Sequence, residues 1–185
     1  HMGSDLSVVN AARVSFGKTH KAMTDGDTKL IHYLAKHKHM SPFGHAFASF
    51  HVKAPIFVAR QLVKHKFLRW NEISRRYVDD EPEFYVPDQW RGRSADKKQG
   101  SDGVVCTDTL VGSAGYNHHC NTFYQDLIDS DIAPEQARMV LPQSTMTEWY
   151  WSGSLDAFID MCNLRCKSDT QYETRLVADY IRSEM

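Results

Sequence analysis

The sequence predicts a mixed α+β fold in a single domain, with five or six helices and two or three strands. Two patterns favour this class: apolar residues recur at helical spacing in several segments, and one segment alternates strictly between polar and apolar residues. The length of 185 residues and the hydrophobic content of 42% are typical of one globular domain. The predicted domain covers 1–185. His1 to Ser4 resemble a cloning remnant and Met185 stands inside a helical pattern, so trimming at both ends and native ends are both open readings.

The first part of the chain is predicted to contain three helices and a strand. Asp5 is a suitable N-cap for a helix over 5–13, and apolar residues at helical spacing predict a second helix over 25–36. Residues 46–53 alternate between polar and apolar side chains, which predicts a strand. A proline then opens a helix over 55–64.

The middle of the chain gives weaker signals. Residues 65–77 have no clean period and are predicted to form a loop, and 84–87 form a short extended piece. The polar stretch 89–103 is predicted to be a mobile surface excursion. The second half of 110–128 is predicted to be helical, and 133–141 contains a short helix opened by a proline.

The last part is predicted to contain a strand and two helices. Aromatic and β-branched residues predict a strand over 145–151. Ser154 is a suitable cap for a helix over 155–167, and Asp169 for a last helix over 170–185.

Charge and hydropathy argue against several classes of function. Lys+Arg 22 against Asp+Glu 23 leaves a net charge of −1, which does not suit a general nucleic-acid or membrane-surface binder. No run of 18 apolar residues and no apolar leader are present, so we expect no association with membranes. Four cysteines in a chain of this length favour a reducing compartment, and we expect the cytoplasm of a bacterium, or of a host cell if the chain is viral.

One segment concentrates positive charge. Six cations stand against the single acid Glu72 between positions 60 and 76: Arg60, Lys64, Lys66, Arg69, Arg75 and Arg76. Arginine side chains suit phosphate, so the cluster indicates an anion site, although a basic rim without a ligand is an equal reading. Trp70, Phe67 and Tyr77 lie between the cations and could stack on a planar ring or anchor the core. For Phe67 we favour the core.

The residues from 64 to 76 resemble the signature Arg-His-Arg-x-x-Ser-x-Asn-x-x-Ser-x-Arg of flavin-dependent thymidylate synthases. Four fixed positions match, namely His65, Asn71, Ser74 and Arg76. Lys64 and Lys66 keep the charge of the arginines they replace, and Arg69 replaces a serine. Further segments similar to that family stand in the same order, over 5–16, 39–45, 50–61, 83–87, 137–142 and 163–165.

This resemblance, which suits a divergent or viral-type member of the family, implies a fold and a reaction. The fold is a small twisted, largely antiparallel sheet flanked by helices. The reaction is the reductive methylation of dUMP to dTMP, with the carbon from 5,10-methylenetetrahydrofolate and the hydride from NADPH through FAD. The implied assembly is a homotetramer whose sites lie between subunits, with small-molecule substrates and without nucleic-acid or membrane partners.

The resemblance also implies site residues. Arg165 falls at the position that activates dUMP, and the implied dUMP contacts are Gln61, Lys64, Glu72, Ser74, Arg75, Arg76, Arg138 and Arg165. The implied FAD contacts are Ser41, Lys64, His65, Lys66, Asn71, Glu72, Ser154 and Asp160. His39 is expected to line the cleft for folate and flavin. Without the resemblance, Arg165 and Arg138 are ordinary helix arginines, and Glu72 could orient Arg76, contact the ligands or form an ion pair within its loop.

Some residues depart from the family pattern. Asp156 and Asp160 stand where Asn and Arg often face the flavin, and Asp169 replaces a common histidine. Lysine also cannot donate in the bidentate way of arginine, so we expect weaker or altered flavin binding. The alternatives are therefore an inactive relic of the family, or a nucleic-acid-binding module that uses the basic segment 64–77.

No metal site is expected, because His39 and His45 lack a convincing third ligand. Cys162 and Cys166 are interpreted as buried small hydrophobic residues. Cys106 has no evident base or cation beside it, so a covalent cysteine route is not expected.

Overall fold

A three-stranded antiparallel sheet organises the computed structural model, which describes residues 1–78, 80–96, 99–105 and 111–185. Strand β5 (Met146–Ser154) lies at the centre, between β1 (Phe47–Pro55) and β2 (Leu68–Glu72). Trp151 of β5 stands opposite Phe50 of β1 and Trp70 of β2, which fixes the register of both pairs. The α+β class predicted from the sequence is confirmed.

Strand β2 corrects one prediction, because part of the expected loop 65–77 is an edge strand. Its exposed residues carry the polar and charged side chains, and its half-buried positions are Leu68 and Trp70. The pairing of β2 with β5 requires the two strands to approach closely at Gly153. A Cβ at Gly153 would lie 2.5 Å from Leu68 Cδ2 and 3.1 Å from the carbonyl oxygen of Phe67, so only glycine lets β2 lie this near to β5.

Seven α-helices lie in the described part of the chain. They are α1 (Asp5–Arg13), α2 (Asp25–Lys36), α3 (Ile56–Leu62), α4 (Val111–Asp129), α5 (Pro134–Ala137), α6 (Leu155–Arg165) and α7 (Tyr172–Ser183). Only the second half of 110–128 was predicted to be helical, whereas α4 is helical from Val111 onward. Leu110 lies outside the described residues.

Two predicted helix caps are wrong and one is correct. Ser4 rather than Asp5 occupies the N-cap of α1, and its backbone N–H donates to the Ser7 hydroxyl at 3.1 Å. Asp169 lies too far upstream to cap α7, which follows Gln171. Ser154 occupies the N-cap of α6, as predicted.

A two-stranded hairpin replaces the surface excursion predicted over 89–103. Its strands are β3 (Arg91–Arg93) and β4 (Ser101–Val104), which pair antiparallel. The described residues therefore contain five strands, more than the two or three predicted. The hairpin was not predicted because its strands have three and four residues and show no alternating pattern.

The core lies between the sheet and the helices α3, α6 and α7. Trp149, Trp151 and Phe158 are almost fully buried there. Trp70 stacks on Trp149 with ring centroids 4.3 Å apart. This contact anchors the edge strand β2 to the core and so fixes the segment that carries the cations.

A second apolar cluster joins α1 and α2 to the turn before β1, through Val8, Leu34 and Phe43. Beside it, the fully buried Asp27 accepts hydrogen bonds from Arg13 at 2.6 and 2.9 Å and from the Thr24 hydroxyl at 2.8 Å. Burial alone would raise the pKa of Asp27, but the hydrogen bonds from His20, Thr24 and Arg13 outweigh it and hold the pKa well below its usual range. No helix among the described residues is long and apolar enough to cross a bilayer.

Candidate active site

A cavity of about 930 Å³ opens at the C-terminal ends of α3 and α6. Phe57, Tyr85 and Trp90 form apolar walls, and residues of the β3–β4 hairpin and of α4 close the other sides. Gln61 and Arg165 supply polar groups to its lining. A cavity that combines apolar walls with convergent polar groups is typical of a small-molecule site.

Arg165 is held at this cavity by two hydrogen bonds. Its Nε donates to His65 Nε2 at 2.9 Å, and its Nη2 donates to the backbone carbonyl of Gln61 at 3.1 Å. Arg165 is the last residue of α6, and Gln61 and His65 lie at and just beyond the C-terminal end of α3. A guanidinium has five N–H donors, so this arrangement leaves three for a ligand.

The electrostatics of His65 support this geometry. Burial lowers the pKa of His65 below its ordinary value of 6.5, and the charge of Arg165 lowers it further, while Asp160 opposes the shift. His65 is therefore neutral at pH 7, accepts at Nε2 and carries its proton on Nδ1. Burial also lowers the pKa of Arg165 below its ordinary value, but a guanidinium stays charged under these conditions.

Five of the site residues predicted from the sequence thus come together. Gln61, Lys64 and Arg165 line the cavity, and His65 bonds to Arg165. Asp160 lies close enough to His65 to influence its charge.

The sequence left three roles open for Glu72, and the structure argues against two of them. Its Oε1 accepts from the Thr147 hydroxyl at 2.6 Å and its Oε2 from Trp70 Nε1 at 3.0 Å. Arg76 instead donates to the Tyr77 hydroxyl at 3.0 Å. Glu72 therefore neither orients Arg76 nor forms an ion pair within its loop in this structure. Its contact with a ligand stays a prediction.

Ser74, Arg75 and Arg76 follow β2 and lie outside the cavity lining. Arg75 pairs with Asp80 at 3.1 Å, and the Ser74 hydroxyl accepts from the backbone N–H of Arg76 at 3.3 Å. The Arg76 side chain is exposed.

The remaining predicted residues also lie outside this lining. Arg138 is exposed on a 3₁₀ turn, Ser41 opens the 3₁₀ turn before β1, and exposed His39 stacks on Tyr33 at 6.2 Å. Ser154 lies at the opposite end of α6 from Arg165. Lys66 and Asn71 are exposed, in the α3–β2 connection and on β2.

Phe67 is not a core residue, so the interpretation that we favoured for it is wrong. Its side chain is 84% exposed, and its backbone has a left-handed φ of 66°. Trp70, by contrast, packs against the core, and Tyr77 is exposed.

The cysteines have separate environments. Burial raises the pKa of the Cys162 thiol to about 12, with Cys166 adding to the shift, so it stays protonated at neutral pH. Cys162 is buried, as interpreted from the sequence, and Cys166 is only partly buried. Cys106 lies outside the described residues.

Residues in and beside the cavity lining fit a flavin. Lys64 in the lining and the exposed Lys66, two residues later and outside the lining, offer cationic donors that suit a diphosphate, and the Nδ1–H of His65 is a donor for a ring heteroatom. The negative charge of Asp160 opposes these cations, and it raises the pKa of His65.

Most of the lining was not predicted from the sequence, including the hydrogen-bonding side chains of Tyr85, Arg91, Gln171 and Glu173. Glu173 is buried on α7 together with Thr174, Ala178 and Ile181, and no local pattern in the sequence marked it as a site residue.

The fold and the cavity define an α+β protein with a preformed cavity that is lined by aromatic side chains and by the cations Lys64 and Arg165. The family described as thymidylate synthase complementing protein (Thy1) matches residues 1–185. The chain therefore belongs to the family of flavin-dependent thymidylate synthases, and the resemblance inferred from the motif is confirmed.

Similar proteins include two bacterial flavin-dependent thymidylate synthases. The one from Kosmotoga olearia is 41% identical over 183 residues, which cover 96% of this chain and 78% of the relative. The one from Thermosipho africanus is 39% identical over 183 residues, covering 96% and 79%. A crystal structure of the UMP/dUMP methylase PolB from Streptomyces cacaoi bound with 5-Br dUMP has a TM-score of 0.86 and 35% identity, covering 99% of this chain and 86% of that one.

Proposed function

We propose that this chain catalyses the flavin-dependent reductive methylation of dUMP to dTMP. The observation that carries the proposal is the placement of Arg165, which His65 and Gln61 hold at the cavity with donors left for a ligand. Membership of the flavin-dependent thymidylate synthase family supports the same reaction.

Arg165 is the proposed catalytic residue. Its guanidinium, placed beside the uracil ring, would stabilise the negative charge of a uracil that has lost the proton at N3, and that charge makes C5 more nucleophilic. The hydrogen bonds to His65 and Gln61 fix its orientation before the substrate binds. Pre-oriented donors cost no reorganisation during the reaction, which is the main source of such stabilisation.

The cofactor proposed is FAD, with NADPH as reductant and 5,10-methylenetetrahydrofolate as carbon donor. The flavin supplies the hydride chemistry when it is bound. Lys64, His65 and Lys66 are proposed to hold it, together with the further contacts Ser41, Asn71, Glu72, Ser154 and Asp160. His39 is proposed to lie on the folate side of the cleft.

A homotetramer with sites between subunits is also proposed. Within one chain, Ser74, Arg75, Arg76 and Arg138 lie outside the cavity lining, although the resemblance assigns them to dUMP. Arg76 and Tyr77 in the loop after β2 are exposed, so they are available to reach a neighbouring subunit. An Arg76 guanidinium from that loop would bind the dUMP phosphate of a site whose Arg165 belongs to another chain.

Tritium release from [5-³H]dUMP tests the proposed reaction, because C5 loses its hydrogen when it gains the carbon. The assay contains FAD, NADPH and methylenetetrahydrofolate, and each is omitted in turn. Release that needs all three supports the proposal. A chain that releases no tritium, binds no FAD and shifts an oligonucleotide would instead be a nucleic-acid-binding module. A flavin-free and inactive chain without that binding would be a relic.

Two further experiments test the substrate and the shared site. Parallel assays with [5-³H]UMP decide whether the ribonucleotide is also a substrate. Mixing the inactive variants Arg165→Ala and Arg76→Ala tests the shared site, since hybrid tetramers should regain activity. Mixtures without any recovery would argue for sites built within one chain.

A further inference from the structure

A buried carboxylate lies at the back of the cavity. Glu173 is the second residue of α7 and only 8% exposed. Arg91 of the β3–β4 hairpin donates to its Oε1, as does the Tyr85 hydroxyl at 3.3 Å. Gln171 Nε2 donates to its Oε2 at 3.3 Å. Both carboxylate oxygens are therefore satisfied by groups from different elements.

The hydrogen bonds continue from Glu173 to the proposed dUMP site. Gln61 Nε2 donates to Gln171 Oε1, so Gln171 bridges Glu173 and Gln61. The backbone carbonyl of Gln61 accepts from Arg165 Nη2 at 3.1 Å. Glu173 is thus linked through Gln171 and Gln61 to the guanidinium of Arg165.

Glu173 is suited to act as a fixed anchor. Burial would raise the pKa of Glu173, but the hydrogen bond and the charge of Arg91 outweigh it and lower the pKa below its ordinary value. The carboxylate is therefore ionised at neutral pH. Arg91 is itself fixed, because its Nε donates to the Ser101 hydroxyl at 2.9 Å and its guanidinium lies 4.5 Å from the centre of the Tyr172 ring.

We propose that Glu173 is a positioning residue for the pyrimidine nucleotide, which sets the Gln61 amide through Gln171 and locks the hairpin wall of the cavity through Arg91. The inference rests on the proposed methylation of dUMP. Glu173 does not act on the reacting atoms. It fixes the direction in which Gln61 presents its amide and the distance between the hairpin and α3.

The variant Glu173→Gln tests this role, because the amide keeps the shape but turns one acceptor into a donor facing Gln171 or Arg91. The KM for dUMP should rise about tenfold while kcat and the Kd of FAD stay within about twofold. Glu184→Gln, the same change at the exposed end of α7, is the matched control and should leave all three unchanged.

Gln171→Ala gives an independent test that leaves the pair of Glu173 and Arg91 intact. It should raise the KM for dUMP by about fivefold, and Glu173→Gln combined with Gln171→Ala should cost much less than the product of the two single effects. This variant also decides the matter if Glu173→Gln does not fold.

Three outcomes would overturn the inference: a KM for dUMP unchanged in a folded Glu173→Gln or Gln171→Ala protein, a loss confined to kcat, or fully multiplicative effects in the double variant. Failure of the proposed function is distinguishable, because the wild-type protein would then release no tritium from dUMP.

Discussion

Arg165 and His65, one hundred positions apart in the chain, are joined by a hydrogen bond of 2.9 Å from Nε to Nε2. The bond brings the end of α6 to the connection between α3 and β2, where the predicted flavin-binding cations lie. It also requires a neutral imidazole, because a protonated His65 has no acceptor to offer. The residue proposed to activate the substrate and a residue proposed to bind the flavin are therefore joined by one hydrogen bond.

This link predicts a pH dependence. The pKa of His65 in the folded protein is lowered below its ordinary 6.5, so the neutral form that holds Arg165 is fully present above that value and is lost as the pH falls through the folded pKa. We expect kcat/KM for dUMP to decline on the acid side of pH 6.5. Stability that depends on His65 should decline over the same range.

His65→Gln is the control for this pH dependence, since a glutamine oxygen accepts from Arg165 without titrating in that range. Its pH profile should lose the acid limb that is due to His65. If kcat/KM declines at the same acidic pH in the wild type and in the variant, another group is responsible for the decline.

Lys66→Arg should tighten flavin binding. Arginine presents a planar fork to a diphosphate, where lysine offers a single charged point. We expect the Kd of FAD to fall about fivefold, which corresponds to about 1 kcal/mol. Fluorescence titration of the flavin measures it, and an unchanged or higher Kd would contradict the placement of Lys66 at the diphosphate.

Trp70→Ala should destabilise the protein through the loss of its stacking on Trp149, by about 3 kcal/mol. Trp70→Phe keeps an aromatic ring and should cost about 1 kcal/mol. Denaturant unfolding measures both. Equal losses for the two variants would mean that the contact contributes little, and that β2 is held by its backbone hydrogen bonds.

Gly153→Ala should separate β2 from β5, because the new methyl group would lie 2.5 Å from Leu68 Cδ2. We expect a loss of about 1–3 kcal/mol in stability and weaker FAD binding, since the cationic connection moves with β2. Adding Leu68→Ala removes the clashing atom and should restore part of the strand pairing and of the FAD affinity. A double variant with FAD affinity no better than Gly153→Ala would contradict this cause.

The sequence predicts the larger elements well. Residues 25–36 were predicted as a helix with the bounds that α2 has, because a local apolar period specifies it. Strand β2 was not predicted, because its order depends on pairing with β5 some eighty positions later. Local patterns do not record such pairing, and the charges of Arg69 and Glu72 on an exposed edge made the segment resemble a loop.

The site shows the same limit. Arg165 was predicted only from the resemblance of its flanking residues, since an arginine at a helix end has many ordinary roles. Gln171 and Glu173 were not predicted, because their hydrogen-bond partners Gln61 and Arg91 are distant in the sequence. Exposed Phe67 was misjudged because an aromatic residue among cations does not reveal a left-handed turn.

The most direct test of the account measures tritium release from [5-³H]dUMP by Arg165→Ala and Arg165→Lys, with Arg182→Ala as a matched control on the exposed face of α7. Arg165→Ala should lose activity by about 10²–10³-fold with FAD still bound, Arg165→Lys should lose less, and the control should keep full activity. An Arg165→Ala protein that binds FAD and keeps wild-type release would contradict the assignment of Arg165 as the activating residue.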